Sequence, residues 1–290
     1  MLIDGSEHAW FGDQRRPCLL LILDDATSEV YYAQLVEEES TLTVMAALRT
    51  VIEQHGLFCS VYSDRASHFW VTLQAGGQVD RTQLTQVGRA LRELKIAMIP
   101  SYSPQGRDRI ERGFRTWQGR LPQELRHRNI TTLEAANQFL REHYRAEFNQ
   151  KFAQPAADSG TAFVALAGQD LERIFTIQQE RKVRPDNTVQ YQNRVLQIEP
   201  VSWRATLAGC HVLLLEQLDE TLSLHYGPHC VGRYGAEGGV MKAKTKRGAR
   251  LPVEKTLCGK VKNQTFPHSL EIPQNPRDSH FPTGAAAAGG

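Results

Sequence analysis

The chain has 290 residues, 41% apolar and 23% charged, with a net charge of +2. This is an ordinary globular composition, long enough for one large domain and a smaller one, and its near-neutral balance leaves any nucleic-acid surface to local basic clusters. No apolar run approaches the roughly 20 residues that span a bilayer. The start, MLIDGSEH, lacks the regions of a signal peptide, and five cysteines without a CxxC pair suggest neither a zinc knuckle nor a disulfide framework.

In chain order, Leu2-Ile3 leads into Asp4 as the start of a first strand. Residues 18–24 (CLLLILD) and 30–36 (VYYAQLV) read as two strands of a hairpin around the polar turn 25–28. Ser40 has the character of an N-cap, Val44, Ala47, Leu48, Val51 and Ile52 follow at helical spacing, and Gly56 ends the helix. Residues 60–63 form a short strand that delivers Asp64 at its carboxyl end, followed by an irregular stretch to about 81. Leu84, Val87, Leu91 and Leu94 mark a helix over 82–94; residues 96–99 are a strand stopped by Pro100. After the turn 103–106, a helix runs from Arg107 to about Leu125. The next, capped near Thr131, carries Leu133, Ala136, Leu140, Tyr144 and Phe148 on one face.

That order predicts an α/β domain over 1–150, with a mixed sheet whose functional residues sit at strand carboxyl ends. A linker and short helix follow over 151–180. Short strands at 189–191, 195–198, 211–215 and 222–226 then predict a small β-barrel domain over 181–228. Residues 229–290, rich in lysine and arginine between 241 and 262 and ending in TGAAAAGG, are expected to be a disordered basic tail.

Three acids carry the chemistry. Asp4 and Asp64 belong to strands expected to pair centrally, about 4.8 Å apart, so that their carboxylates can share a metal. Glu111 comes from the helix that crosses the same end of the sheet. Three carboxylates in so small a space require counter-charge, which two Mg²⁺ ions (or Mn²⁺ in their place) would supply while activating a nucleophile and steadying a leaving oxygen. The helix around Glu111 is punctuated by Arg107, Arg109, Arg112, Arg115 and Arg120, interleaved with Ile110, Phe114 and Trp117. Arginines flanking one acid fit a phosphate backbone beside a metal site; Arg107, Arg109, Arg112 and Arg115 are the expected DNA contacts. Asp24 and Asp25 fit an Asx-turn better than a second acidic site. Trp10 fits packing, and His68 is either a partner of the metal ligands or a plain loop histidine. No GxxxxGK[ST] motif marks an NTP-driven motor.

DGSEHAWF, LDDATSEVYYAQLVEEES, VYSDRASHF and SPQGRDRIERGFRTWQGRLPQELR, in that order, resemble the integrase-core DDE transposases of bacterial insertion sequences, most closely the ISNCY-type group. The resemblance covers about 1–226. It implies a ribonuclease-H-like core with a five-stranded mixed sheet, with Asp4, Asp64 and Glu111 at the catalytic and metal-binding positions. It also implies Mg²⁺-dependent DNA cleavage and strand transfer at insertion-sequence ends, homo-oligomers bridging those ends and target DNA, and a bacterial cytoplasmic, nucleoid-associated setting without a membrane. Members usually carry an N-terminal helix-turn-helix region, and none precedes Asp4, so a truncated transposase is expected. The rival expectation is an inactive chain that inhibits by binding DNA or by oligomerising with the intact enzyme.

Overall fold

The computed structural model describes residues 1–74, 77–102, 108–158 and 160–241. β1 (Leu2–Glu7), β2 (Cys18–Leu23) and β3 (Val30–Val36) form an antiparallel meander. α1 (Thr41–His55) follows, its N-terminus closed by a capping box between Ser40 and Thr43. β4 (Ser60–Ser63) then pairs parallel to β1, with Leu2 opposite Tyr62. A two-stranded excursion, β5 (Val71–Thr72) and β6 (Val79–Asp80), occupies the stretch predicted to be irregular. α2 (Gln86–Glu93), capped by Thr85, and β7 (Ala97–Pro100), parallel to β4, complete the sheet.

The strand order is β3-β2-β1-β4-β7, the mixed five-stranded α/β sheet the sequence predicts. Both faces are covered, which explains why CLLLIL is buried at every position instead of alternating. One face packs on α1 and α2 through Ile3, Leu20, Ile22, Val44, Leu48, Val51, Val87 and Leu91. The other packs on α3 (Asp108–His127) and on a second helical run. That run comprises α4 (Leu133–Phe139), one π-helical turn (Leu140–Tyr144) and α5 (Arg145–Phe152). The π-turn falls where Leu140 and Tyr144 bury against Trp117 and Phe148. The cap of α4 is Thr132, one residue beyond the expected position.

The short helix α6 (Leu171–Ile174) is no free linker element, since Leu171, Ile174 and Phe175 enter the α1–α2 core. It leads into β8 (Ile177–Lys182), then β9 (Thr188–Tyr191), β10 (Arg194–Gln197), β11 (His211–Glu216), β12 (Leu222–Tyr226) and β13 (His229–Tyr234). These form a four-stranded sheet, β13-β12-β11-β8, and a separate β9-β10 hairpin around one core. A small β-barrel was expected; the hydrogen-bonded ladder runs through four strands and breaks after β8. There Val183 donates to Cys210 O, and the chain turns through Asn187, whose φ is 60°. The Asn187 side chain accepts from Leu207 N–H at 2.9 Å and holds that corner. β13 also lies beyond the boundary drawn at 228. The remaining tail, from 242, lies outside the described residues.

Candidate active site

β1 and β4 set the register of the two aspartates. Leu2 faces Tyr62, and Asp4 and Asp64 each stand two residues further along parallel neighbours. Strand alternation sets Asp4 on the face of Leu2, toward α3, while Asp64 follows the last β4 pairing, Ser63 with Pro100. Asp4 is 7% exposed in mid-strand, and its Oδ1 accepts from Gly5 N–H at 3.0 Å. Asp64 lies just past the end of β4, half-buried, with Oδ1 accepting from Ala66 N–H at 3.0 Å. The segment after Asp64 is pinned where Trp70 Nε1 donates to Ser63 Oγ at 3.0 Å.

α3 crosses this face. Ile110, Phe114, Trp117, Leu121 and Leu125 recur at helical spacing and bury against Leu2, Leu19, Leu21 and Leu23. Gln118 Nε2 donates to Ser6 Oγ at 2.9 Å, fixing the helix to β1 two residues beyond Asp4. Glu111 is seven residues before Gln118, on the same flank and about 10 Å nearer the helix start. Glu111 is half-buried there. Among the described residues, no group of three or more His, Cys, Asp or Glu is gathered closely enough to hold a metal ion. The donor chemistry, all carboxylate oxygen, suits a hard divalent cation. Asp4, Asp64 and Glu111 thus form no preformed three-carboxylate cage among the described residues.

The basic residues divide. Arg109 is engaged by the β2–β3 turn, with Nε 3.3 Å from Asp25 Oδ1 and Nη1 donating to Ala26 O at 3.1 Å. Arg112 and Arg115 are exposed on α3. Arg107 and the turn 103–106 lie outside the described residues. Asp24 is the Asx-turn residue anticipated, its Oδ2 accepting from both N–H and hydroxyl of Thr27 at 2.9 Å. Trp10 is fully buried, donating to Pro17 O at 2.8 Å.

His68, left open between two roles, pairs with Glu39, Nε2 to Oε1, at 3.0 Å. The other oxygen of Glu39 lies so close to Gly5 that a Cβ there would be 2.3 Å from it. The pair thus ties the segment after Asp64 to the strand that carries Asp4. Sequence reasoning missed this, since Glu39 ends an acidic run that looks like solvated loop and lies 29 residues from its partner. Burial, then the nearby Glu39 carboxylate, pushes the Cys18 thiol up to about 12.

No protein-family model matches the chain. It is 33% identical over 232 residues, 78% of its length, to y4bF of Sinorhizobium fredii (strain NBRC 101917 / NGR234), which is named as a transposase. It is 30% identical over 194 residues, 66% of its length, to the transposase for insertion sequence IS1202 of Streptococcus pneumoniae. These stretches cover 50% and 41% of the two relatives, so the chain spans about half their length or less. Similar solved structures include the catalytic core domain of BIV integrase, at 17% identity and TM-score 0.35, covering 52% of this chain and 92% of that one. Another is a simian T-cell lymphotropic virus intasome with the PP2A regulatory subunit B56 gamma, at 11% identity and TM-score 0.38, covering 73% and 70%. By sequence, the chain is similar to these two transposases over about half their length or less.

Proposed function

We propose that the chain is the catalytic part of a DDE transposase of the integrase-core type, acting on insertion-sequence ends and target DNA. The observation that carries this reading is the parallel pairing of β1 and β4 at the centre of the sheet, with Leu2 opposite Tyr62. Asp4 and Asp64 each follow two residues later, and Glu111 lies on α3, which packs on the same sheet. Kinship to two transposases supports it. Asp4 and Asp64 would hold divalent cations between them, and Glu111 would complete a coordination shell once DNA is seated. Bound Mg²⁺ would neutralise the crowded carboxylates and polarise the nucleophile and leaving oxygen. Arg112 and Arg115, exposed on α3, would align the scissile strand's phosphates for in-line attack. Arg109 would join them only by leaving Asp25. Bridging two ends calls for more than one protomer, and the nucleoid of a bacterial cytoplasm is the natural setting.

The absence of a three-carboxylate cage among the described residues favours one competing reading, a catalytically silent chain that binds DNA or an intact partner. Strand transfer separates the two. With pre-cleaved donor ends and Mn²⁺, the wild-type chain is expected to yield joined products, and Glu111→Gln to abolish them while leaving DNA binding within about twofold. Bound DNA with no product from either protein supports the silent reading.

A further inference from the structure

We infer that Trp203, Tyr226, His229 and Arg204 form a stacking site for an unpaired base of single-stranded DNA. Trp203 sits at the tip of a tight turn closed by the Val201–Arg204 bridge, and is 46% exposed. Its ring stacks on Tyr226 at 6.0 Å and 20°, and meets His229 at 4.9 Å and 34°. Tyr226 and His229 face each other across the β12–β13 hairpin. Both rings belong to that one hairpin, and Trp203 stays about half exposed beside them. Arg204 donates to the Tyr226 hydroxyl at 3.1 Å and lies over that ring at 5.7 Å.

An indole left half in water on a rigid stack is poorly placed for the core and well placed for a partner with a flat face. The rings group with one another and with a guanidinium. Neighbours Ser202, Arg204, Ala205 and Thr206 are exposed and polar or small, unlike the apolar surround of a protein-docking anchor. Aromatic faces with adjacent cations are how non-specific single-strand binders hold bases and phosphates. A base inside a duplex has both faces covered, so the site takes an unpaired one, as at a frayed or overhanging end. This inference rests on the DNA-acting part of the reading above and not on the carboxylates.

The test uses the exposure of one tryptophan. Of the four, Trp10, Trp70 and Trp117 are buried at 0%, 8% and 0% exposure, so external quenching reports on Trp203. A twelve-residue oligothymidylate is expected to quench the emission of the full chain, and a duplex of equal length to leave it unchanged. Trp203→Ala should lose the quenching and weaken oligothymidylate binding at least about fivefold, the equivalent of about 1 kcal/mol of base stacking. Trp203→Phe should retain most of the affinity, and both variants should melt with the wild type. Glu111→Gln should bind as the wild type does, so failure of strand transfer leaves this result legible. No quenching of the wild type, equal quenching by duplex, or unchanged affinity in Trp203→Ala overturns the inference. So does burial of Trp203 by self-association of the chain as concentration rises.

Discussion

Gly5 is where the two sides of the candidate site meet. A Cβ at this position would lie 2.3 Å from Glu39 Oε2 and 2.6 Å from Cys18 Sγ, so a methyl there must displace the end of the Glu39 side chain and the buried Cys18 sulfur. Gly5→Ala should destabilise the chain by about 1–3 kcal/mol, the usual cost of overpacking, read as a fall in melting temperature. Partial recovery in Gly5→Ala/Glu39→Ala would locate the clash. Cys18 gives a pH test at the same spot. Its thiol is raised to about 12 from 9.0 by burial, with Glu39 adding to the shift. The stability tied to its neutral form is therefore complete below about pH 9 and lost as pH climbs toward 12. Tyr32, raised to about 12 by burial, adds to the same alkaline decline. Melting temperature should fall above pH 9 and fall less in Cys18→Ala. At pH 8, a thiol reagent should label the exposed Cys59 and Cys230 and spare Cys18.

β3 is an edge of the central sheet, and two asparagines stand in for a missing neighbour. Asn137 donates to Leu35 O at 2.8 Å and accepts from Leu35 N–H at 2.7 Å. Asn149 treats Val30 in the same way, both at 2.9 Å. Side-chain amides thus satisfy the outward backbone groups and deny the edge to another chain. Asn137 is buried, so Asn137→Leu should strand two backbone groups and cost about 2–4 kcal/mol. Denaturant melts would check this, and light scattering should show faster aggregation. Such pairings lie beyond a one-dimensional reading, because Leu35 and Asn137 are 102 residues apart. The strands themselves were legible where burial left a mark: CLLLIL and VYYAQLV are apolar because both sheet faces are covered. β8 was not, because IQQERK is polar and joins its sheet through backbone bonds to β11. β13 follows Pro228 with a broken pattern and is recognisable only by its pairing with β12.

Across the molecule, α2 ties the central sheet to the C-terminal strands. Arg89 Nη2 donates to Ile174 O at 2.9 Å and Thr176 O at 2.6 Å, and the Gln86 amide exchanges two bonds with the backbone of Gln178. Burial lowers the Arg89 pKa, yet two carbonyl partners keep the guanidinium well seated. Removing it in Arg89→Ala should loosen α6 and the start of β8, seen as severalfold faster proteolysis within 153–170. The positions of Asp4 within β1 and of Asp64 just past β4 were readable in the sequence because short apolar runs marked the two strands. The Glu39–His68 tie and the Trp203 stack were not, since both depend on how distant loops meet.

The account depends on Asp4 and Asp64 sharing one cation across adjacent strands. Manganese binding to the full chain, followed by electron paramagnetic resonance, examines that most directly. The wild type should bind Mn²⁺, and Asp64→Asn and Asp4→Asn should each weaken binding at least about tenfold, with an unchanged far-ultraviolet dichroism spectrum. Equal Mn²⁺ affinity in all three proteins would contradict it.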